Sequence, residues 1–519
     1  LLEFVMRWNR GAVTPRPILL IVVVLVIVGS MLPAGAWGRV ERATPAPSSP
    51  VAATPTSGTP AVGTPVSATP VSATPIGATP VSATPAATPD VRATPVDAFD
   101  CAGPCLVRFA SGPATDTALE STGMRASYRT ETAVWVGGTP PDLGWLVAAG
   151  AEPVHIVDEA PSLNLYAITD GPARPNRELI EATGTVVDEE AATSIVALAS
   201  VPAFVAELLA AGTVVEKVMP YVPAGTPQLT AQPGGSRPAV SDAVDQALDA
   251  NESEIIWTIA DLASSGVEPG TPGSRYFALP GNQIAAEYLF LRFAAYGLDV
   301  WYEDYVASNG MLSLNVVAEI PGKVEGPIWA AFAHFDTIAE DTPGNDIAPG
   351  ALDNGTGVAV LLEAARVLSG YELTYPVRLV ALNGEEVGLQ GAFAFGDRAI
   401  EEGTPYGGGI NIDSVGTAYG YRVLYVNASP SSAFIQDILL TVYDDVGFEL
   451  NVAPRQNPAI VADEVPLTNA GIPTILVASM LYGDPLINCT CDTIDGVDTD
   501  YTRATARLVL LTLAVLARE

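Results

Sequence analysis

Ile328-Trp329-Ala330-Ala331-Phe332-Ala333-His334-Phe335-Asp336 is the stretch on which the fold turns. From Ile328 to Ala333 it is a near-continuous apolar run, the pattern of a strand buried on both faces. Such a strand needs helices above and below it, and the flanking sequence supplies them. Helical spacing places one helix over Gln283–Ala295, stopping at Gly297. Another covers Val358–Leu368, with Val358, Leu361, Leu362, Ala365 and Leu368 on its apolar face. Further strands are expected at Val377–Leu382, Gly409–Ile412, Arg422–Val426 and Ile472–Ala478, and a closing helix at about Asp500 to Ala517. This alternation predicts an α/β domain over residues 236–519, with a mostly parallel central sheet in a three-layer α/β/α arrangement.

Chemistry-bearing residues gather where those strands end, the side of an open α/β sheet that binds ligands. His334 and Asp336 follow the first strand. Asp353 stands in Gly350-Ala351-Leu352-Asp353-Asn354-Gly355, before a helix. Glu385 and Glu386 follow Val377–Leu382 in Asn383-Gly384-Glu385-Glu386, and Asp413 closes the next strand. Carboxylates converging on one imidazole repel one another unless a cation lies between them. Zinc accepts this nitrogen-and-oxygen donor set. Taken singly, a Glu-Glu pair is an ordinary solvated dipeptide and Asp-Asn-Gly an ordinary turn. The ordered series, each member after a predicted strand, is far more specific.

From about residue 237 to the end, the chain resembles the di-zinc aminopeptidase family that includes aminopeptidase Y and secreted bacterial leucyl-type aminopeptidases. The resemblance is carried by Gly273-Ser274-Arg275-Tyr276, Pro280-Gly281-Asn282, Ala295-Tyr296-Gly297-Leu298 and Asn315-Val316-Val317-Ala318-Glu319-Ile320-Pro321-Gly322. It continues through His334-Phe335-Asp336, Leu352-Asp353-Asn354-Gly355-Thr356-Gly357, Glu385-Glu386-Val387-Gly388, Asp413, Asp463 with Pro466, and Ala470-Gly471-Ile472-Pro473. It implies a zinc exopeptidase-like fold, zinc as cofactor, and peptides with free N-termini as substrates. By the same resemblance, His334 and Asp413 bind a first zinc, Asp353 bridges, Glu386 binds a second, and Glu385 is the general base. Asp336 holds the His334 ring from behind, and the Asp353–Asn354 peptide is cis.

The pattern breaks at one ligand. The family's late motif, His-Thr-x-x-Asp-Thr-x-Asp, is matched by Asn488-Cys489-Thr490-Cys491-Asp492-Thr493-Ile494-Asp495. Asn488 therefore stands where a histidine ligand is expected, and offers only a neutral amide oxygen. Cys489 would be a better ligand if free, but a disulfide is the expected state in an exported protein. The first metal position is thus complete and the second rests on Asp353 and Glu386, so one or two zinc ions are expected. Three functional readings are open. Glu385 and the other motifs favour an active metallo-aminopeptidase. Asn488 with an N-terminal anchor favours a peptidase-like binding or receptor protein. A single-zinc glutaminyl cyclase would need the missing histidine. A serine hydrolase is excluded by the lack of a Gly-x-Ser-x-Gly elbow, and a P-loop nucleotide site by the lack of its lysine-bearing glycine loop.

The remainder of the chain is read in three parts. In residues 1–38, Arg7, Arg10 and Arg16 precede an uncharged apolar run from Pro17 to Gly38, with small residues at Ala34-Gly35-Ala36. That is a cleaved export signal or a membrane anchor, and it places the protein outside the cell or on its surface. Residues 39–97 repeat Thr-Pro at a five-residue period, from Thr54-Pro55 to Thr84-Pro85. Regular proline prevents helix and sheet, so an extended stalk is expected. Residues 98–235 read as a small α+β domain with an internal repeat, Thr132–Val157 overlaying Ser194–Val218 at a constant offset, each unit strand–helix–strand. His155 falls opposite Lys217 in that overlay and reads as an ordinary solvent-facing strand residue, not a ligand.

The whole chain has 58 acidic against 24 basic residues, a net charge of −34. That argues against nucleic acid and anionic membrane surfaces as partners. Cys101, Cys105, Cys489 and Cys491 are the four cysteines. One or two disulfides are expected, with three connectivities open.

Overall fold

A computed structural model describes residues 99, 101, 103–157, 165–169, 180–181, 184–198, 208, 213–222, 250–264, 273–448, 450–479 and 484–518. The expected signal or anchor (1–38) and the Thr-Pro stalk (39–97) lie outside these residues. Among the described residues, no helix is long and apolar enough to cross a membrane.

The first part of the described chain is built of β1 (Cys105–Ala110), α1 (Pro113–Thr122), β2 (Tyr128–Arg129), β3 (Ala133–Gly138), α2 (Pro140–Ala148) and β4 (Pro153–Val157). The strands form an antiparallel sheet in the order β2-β3-β1-β4. Helix α2 begins where Thr139 accepts the Asp142 N–H, with proline in its first turn, which satisfies an otherwise orphaned donor. Then β5 (Leu165–Thr169), β6 (Gly184–Glu190), β7 (Thr193–Leu198) and β8 (Val214–Lys217) form a second antiparallel sheet in the matching order β6-β7-β5-β8.

Thr132–Val157 forms the expected strand–helix–strand unit, β3-α2-β4, and the repeat extends beyond it, since each unit belongs to one of two four-stranded sheets; the middle of the second unit lies outside the described residues, Leu208 apart. Period-two alternation gives each sheet two apolar faces. Val107, Phe109, Val134 and Val136 pack under α1 and α2. Leu106, Ala133, Trp135 and Val157 pack instead against Leu165, Ala167, Ile195 and Val218 of the second sheet. The constant offset also fails by one residue. His155 lies opposite Arg108 and turns to the face between the sheets, whereas Lys217 lies opposite Tyr166 and turns away from it. His155 is half-exposed and pairs through Nδ1 with Asp188 at 3.0 Å. Asp188 also accepts from Trp135 Nε1 at 2.8 Å.

The second sheet docks on the C-terminal part of the chain. Tyr166 donates to Gln283 at 3.3 Å, the Lys217 N–H donates to Asp304 at 3.0 Å, and Leu312 joins the core of Tyr166, Ile168 and Val196.

That C-terminal part comprises α3 (Glu252–Ala263), α4 (Pro280–Ala295), β9 (Asp299–Val306), β10 (Leu312–Ile320), β11 (Ile328–His334), α5 (Thr356–Leu368), β12 (Val377–Leu382) and α6 (Gln390–Glu402). It continues with β13 (Tyr406–Asp413), β14 (Val423–Asn427), α7 (Ala433–Val446), β15 (Asn451–Arg455), α8 (Glu464–Asn469), β16 (Thr474–Ala478) and α9 (Thr499–Arg518). Eight strands order as β15-β14-β16-β13-β11-β12-β10-β9. The central four, β12-β11-β13-β16, are parallel, and antiparallel pairings join the outer strands to them.

The expected α/β class is what the chain adopts, and β11 shows why. Ala331 and Ala333 face a core shared with α5 and α9. Ala330 and Phe332 face another, shared with Phe395 of α6 and Leu467 of α8. A strand covered on both faces has no side on which to place a polar residue until it ends. β11 ends at His334.

Candidate metal centre

Parallel pairing brings the strand ends side by side. His334 lies opposite Leu382, so the turn after β12 rises next to it, and Asp413 closes β13 on the other flank. His334 is buried, and its two ring nitrogens look in different directions. Nδ1 lies 3.2 Å from the Asp336 carbonyl. Nε2 lies 3.1 Å from Asp353 Oδ1 and 3.5 Å from Asp413 Oδ1.

Asp336 meets the ring with both its backbone and its side chain. Its carboxylate stands 3.6 Å from His334 Nδ1, and its backbone carbonyl is the nearer partner at 3.2 Å. The carboxylate oxygens also accept the N–H groups of Glu385 at 3.1 Å and Glu386 at 3.2 Å. Fully buried Asp336 thus pins the turn that carries both glutamates. Beneath that turn, buried Asn383 exchanges hydrogen bonds with Asn282 at 2.8 and 2.9 Å and donates to Ser313 at 2.9 Å. Its own N–H donates to Asn315 at 3.1 Å.

Asp353 is positioned from two sides. The Asp353–Asn354 peptide is cis, as the resemblance implies. Asn354 donates to the Ile412 carbonyl at 2.8 Å and accepts from Ser414 N–H at 3.2 Å and Gly357 N–H at 2.9 Å. This ties the Asp353 segment to the end of β13. A side chain at Gly357 would run into the Asn354 amide and the Ile412 carbonyl, so the close approach requires glycine. From the other side, Asp492 accepts the N–H groups of Leu352 at 2.6 Å and Asp353 at 2.9 Å.

Two sets of ligand atoms result, each within 4.8 Å of one another: His334, Asp353 and Asp413 in one, and His334, Glu385 and Glu386 in the other. Electrostatics mark the place as one that wants a cation. Burial raises the carboxyl pKa values of Asp353, Glu385 and Glu386, and neighbouring carboxylates raise them further. Burial lowers that of His334, but Asp336, Asp353 and Asp413 outweigh it and lift it well above its ordinary value. Asp353 Oδ1 and Glu386 Oε1 are buried without hydrogen-bond partners, as unused ligand atoms would be.

The first set, one imidazole with two carboxylates, fits zinc. At the late motif, Asn488 Oδ1 is also buried without a partner, and the Asn488 carbonyl accepts the Glu340 N–H at 2.8 Å. Cys489 is bonded to Cys491, and Cys101 to Cys105. Among the described residues no thiol is free, which removes Cys489 as a ligand.

Asp463 belongs to this neighbourhood although in the sequence it stands out only as part of a motif. It is fully buried, both its oxygens lack partners, and its pKa is raised by burial and by Asp413, against a lowering from His334. Arg275, likewise quoted only within a motif, is fully buried behind the site. The signal for both was their place in the motif series, without a chemical role attached.

A buried imidazole ringed by carboxylates on the rim of a mostly parallel sheet is a donor set that fits a metal ion such as zinc. Residues 315–513 match the model of peptidase family M28. Aminopeptidase YwaD of Bacillus subtilis is 32% identical over 184 residues, covering 34% of this chain and 38% of that protein. A probable leucine aminopeptidase of Arthroderma benhamiae is 28% identical over 204 residues, covering 38% and 56%. The chain thus spans less than two thirds of the length of either relative. Among solved structures, BSAP, a zinc aminopeptidase from Bacillus subtilis, aligns at 15% identity with a TM-score of 0.45, covering 52% of this chain and 96% of that one.

Proposed function

We propose that this domain is a metal-dependent aminopeptidase that hydrolyses the first peptide bond of substrates with a free N-terminus. The observation that carries the reading is the position of Glu385. Its carboxylate groups with His334 and Glu386 within 4.8 Å, and His334 is shared with the Asp353–Asp413 set. Zinc bound by His334, Asp353 and Asp413, with a second ion at Glu386, would supply Lewis acidity and bring the pKa of water to about 7. Glu385 takes the proton of the attacking water on a carboxylate oxygen and passes it to the leaving amine. Asp336 keeps the Glu385-Glu386 turn in place throughout. The acidic rim attracts the substrate's terminal ammonium group.

Two disulfides and the apolar run at 17–38 support a location outside the cytoplasm. Asn488 and the bonded Cys489 favour a second reading, a peptidase-like binding protein without turnover. Release of free amino acid from unblocked dipeptides by the full chain distinguishes the two. Turnover abolished by a chelator and by Glu385→Gln supports the enzyme. No turnover by zinc-supplemented, folded protein supports the binding protein.

A further inference from the structure

The position at Glu386 asks for a different ion from the one at Asp413. The chain has two histidines, and His155 lies in β4, paired with Asp188. His334 is therefore the imidazole open to the centre, and a neutral imidazole has one lone pair to give. Its Nε2 faces Asp353 Oδ1 at 3.1 Å and Asp413 Oδ1 at 3.5 Å, while Nδ1 faces the Asp336 carbonyl at 3.2 Å. Although His334 lies within reach of both ligand sets, that lone pair serves the Asp353–Asp413 side. The cysteines are bonded as Cys101–Cys105 and Cys489–Cys491. An ion at Glu386 is thus left without a nitrogen or sulfur donor.

Oxygen remains. Glu386 Oε1 and Asn488 Oδ1 are both buried without hydrogen-bond partners. Burial raises the Glu386 carboxyl pKa, and Asp353 is the charge that raises it most after that, so these two carboxylates are neighbours. The stretch that carries Asn488 is held on the Asp353 segment, because Asp492 accepts the N–H groups of Leu352 and Asp353. Asn488 itself is left-handed, at φ 57°, and its carbonyl accepts the Glu340 N–H at 2.8 Å. A non-glycine residue in that conformation persists where its surroundings fix it, often at a ligand site.

Donor type decides between ions. Tight zinc sites draw on imidazole or thiolate as well as carboxylate. Carboxylate, amide carbonyl and water suit magnesium and manganese. Magnesium is characteristically held by one or two carboxylates, with water filling the rest of its shell. Two carboxylates and one amide match that pattern and do not match zinc.

We propose that the centre takes a mixed pair: zinc at His334, Asp353 and Asp413, and a hard divalent cation of the magnesium–manganese class at the all-oxygen position of Asp353, Glu386 and Asn488. The assignment rests on the metal-dependent reading above. It makes asparagine at 488, where a histidine is expected, a change of metal and not the loss of one.

The test is equilibrium dialysis of the metal-stripped full chain against about two equivalents of zinc and about a hundredfold excess of manganese, in about 0.5 M salt to screen the acidic surface. Atomic emission should find about one zinc and one manganese per chain, the manganese also visible by electron paramagnetic resonance. Glu386→Gln should weaken manganese binding at least about tenfold and keep the zinc. Asn488→His should exchange the manganese for a second zinc. Two zinc ions in the unsubstituted chain, zinc without manganese, or manganese binding unchanged in Glu386→Gln would each overturn the assignment. If Glu386→Gln does not fold, an Asn488→His chain that still holds one zinc and one manganese overturns it. Turnover of dipeptides is read separately. A mixed pair without hydrolysis supports the assignment and removes the aminopeptidase reading, and hydrolysis by a two-zinc chain does the reverse.

Discussion

Arg275 donates through Nε to the carbonyl of Phe335 at 2.7 Å, directly between the residues His334 and Asp336. The same guanidinium donates to Leu262 and Pro349 at 2.8 Å each, and to Gly350 at 2.8 Å. Burial pulls its pKa down to about 10, against the raising effect of Asp492, Asp336, Asp353 and Glu386. It therefore remains charged at neutral pH. One buried cation ties the end of β11 to the segment that leads into Asp353, and offsets part of the acidity in front of it.

Arg275→Met leaves these buried carbonyls without donors and the carboxylates without a compensating charge. The expected loss is about 3–5 kcal/mol of folding stability, read from urea unfolding curves. Lysine, with a shorter reach and no planar fork, should recover only part of it. Wild-type stability in Arg275→Met would show that those hydrogen bonds are dispensable.

Asp336→Asn keeps the size of the side chain but replaces one acceptor oxygen by a donor facing an N–H. The Glu385-Glu386 turn then loses one of its two anchors. Activity or zinc affinity should fall about 10–100-fold while the far-ultraviolet circular dichroism stays unchanged. A variant with full turnover and full zinc retention would place the anchoring elsewhere.

Asn488→His introduces an imidazole where an unpartnered amide oxygen now lies. Zinc per chain after gel filtration, measured by atomic emission, should rise towards two. An unchanged zinc content would mean that position 488 does not reach the second ion.

Metal removal should reverse the ordinary dependence of stability on pH. Asp353, Glu385, Glu386 and Asp463 have folded-state pKa values above their usual range. Between their unfolded values of about 4 and those raised values, the folded chain holds more protons than the unfolded one, so stability falls as pH rises. His334, also raised from 6.5, extends the decline to higher pH. In excess chelator the melting temperature should be higher at about pH 5 than at about pH 8. Added zinc should stabilise the protein chiefly at the higher pH.

The strand ending in His334 is legible in the sequence because an apolar run covered on both faces admits few other folds. The order of Asp353, Glu385, Glu386 and Asp413 is legible because each comes after an element whose periodicity is plain. The family motif assigns Asp336's carboxylate to the ring, and it holds the Glu385-Glu386 turn as well. Which of two partners a carboxylate accepts depends on fractions of an ångström that no spacing encodes. Lys217 overlays His155 because apolar positions recur in both strands, but a one-residue slip changes the face of every side chain. Arg275 and Asp463 gain meaning only through burial, which a single charged letter in a loop does not reveal.

The two four-stranded sheets meet through like faces, Leu106, Ala133 and Trp135 against Leu165, Ala167 and Ile195. That is how the halves of a symmetric dimer meet, here within one polypeptide. In a true dimer every substitution is made twice, and a new contact on one half must be harmless on the other. Joining the halves in a single chain removes that constraint. Tyr166 and the Lys217 N–H of the second sheet meet Gln283 and Asp304 of the C-terminal part, while Val107 and Phe109 of the first pack under α1 and α2. An arrangement with the geometry of self-association thus serves as an asymmetric bracket: the second half holds the C-terminal part through Tyr166 and Lys217, and the first through Arg125, which donates to the Leu298 carbonyl at 2.9 Å.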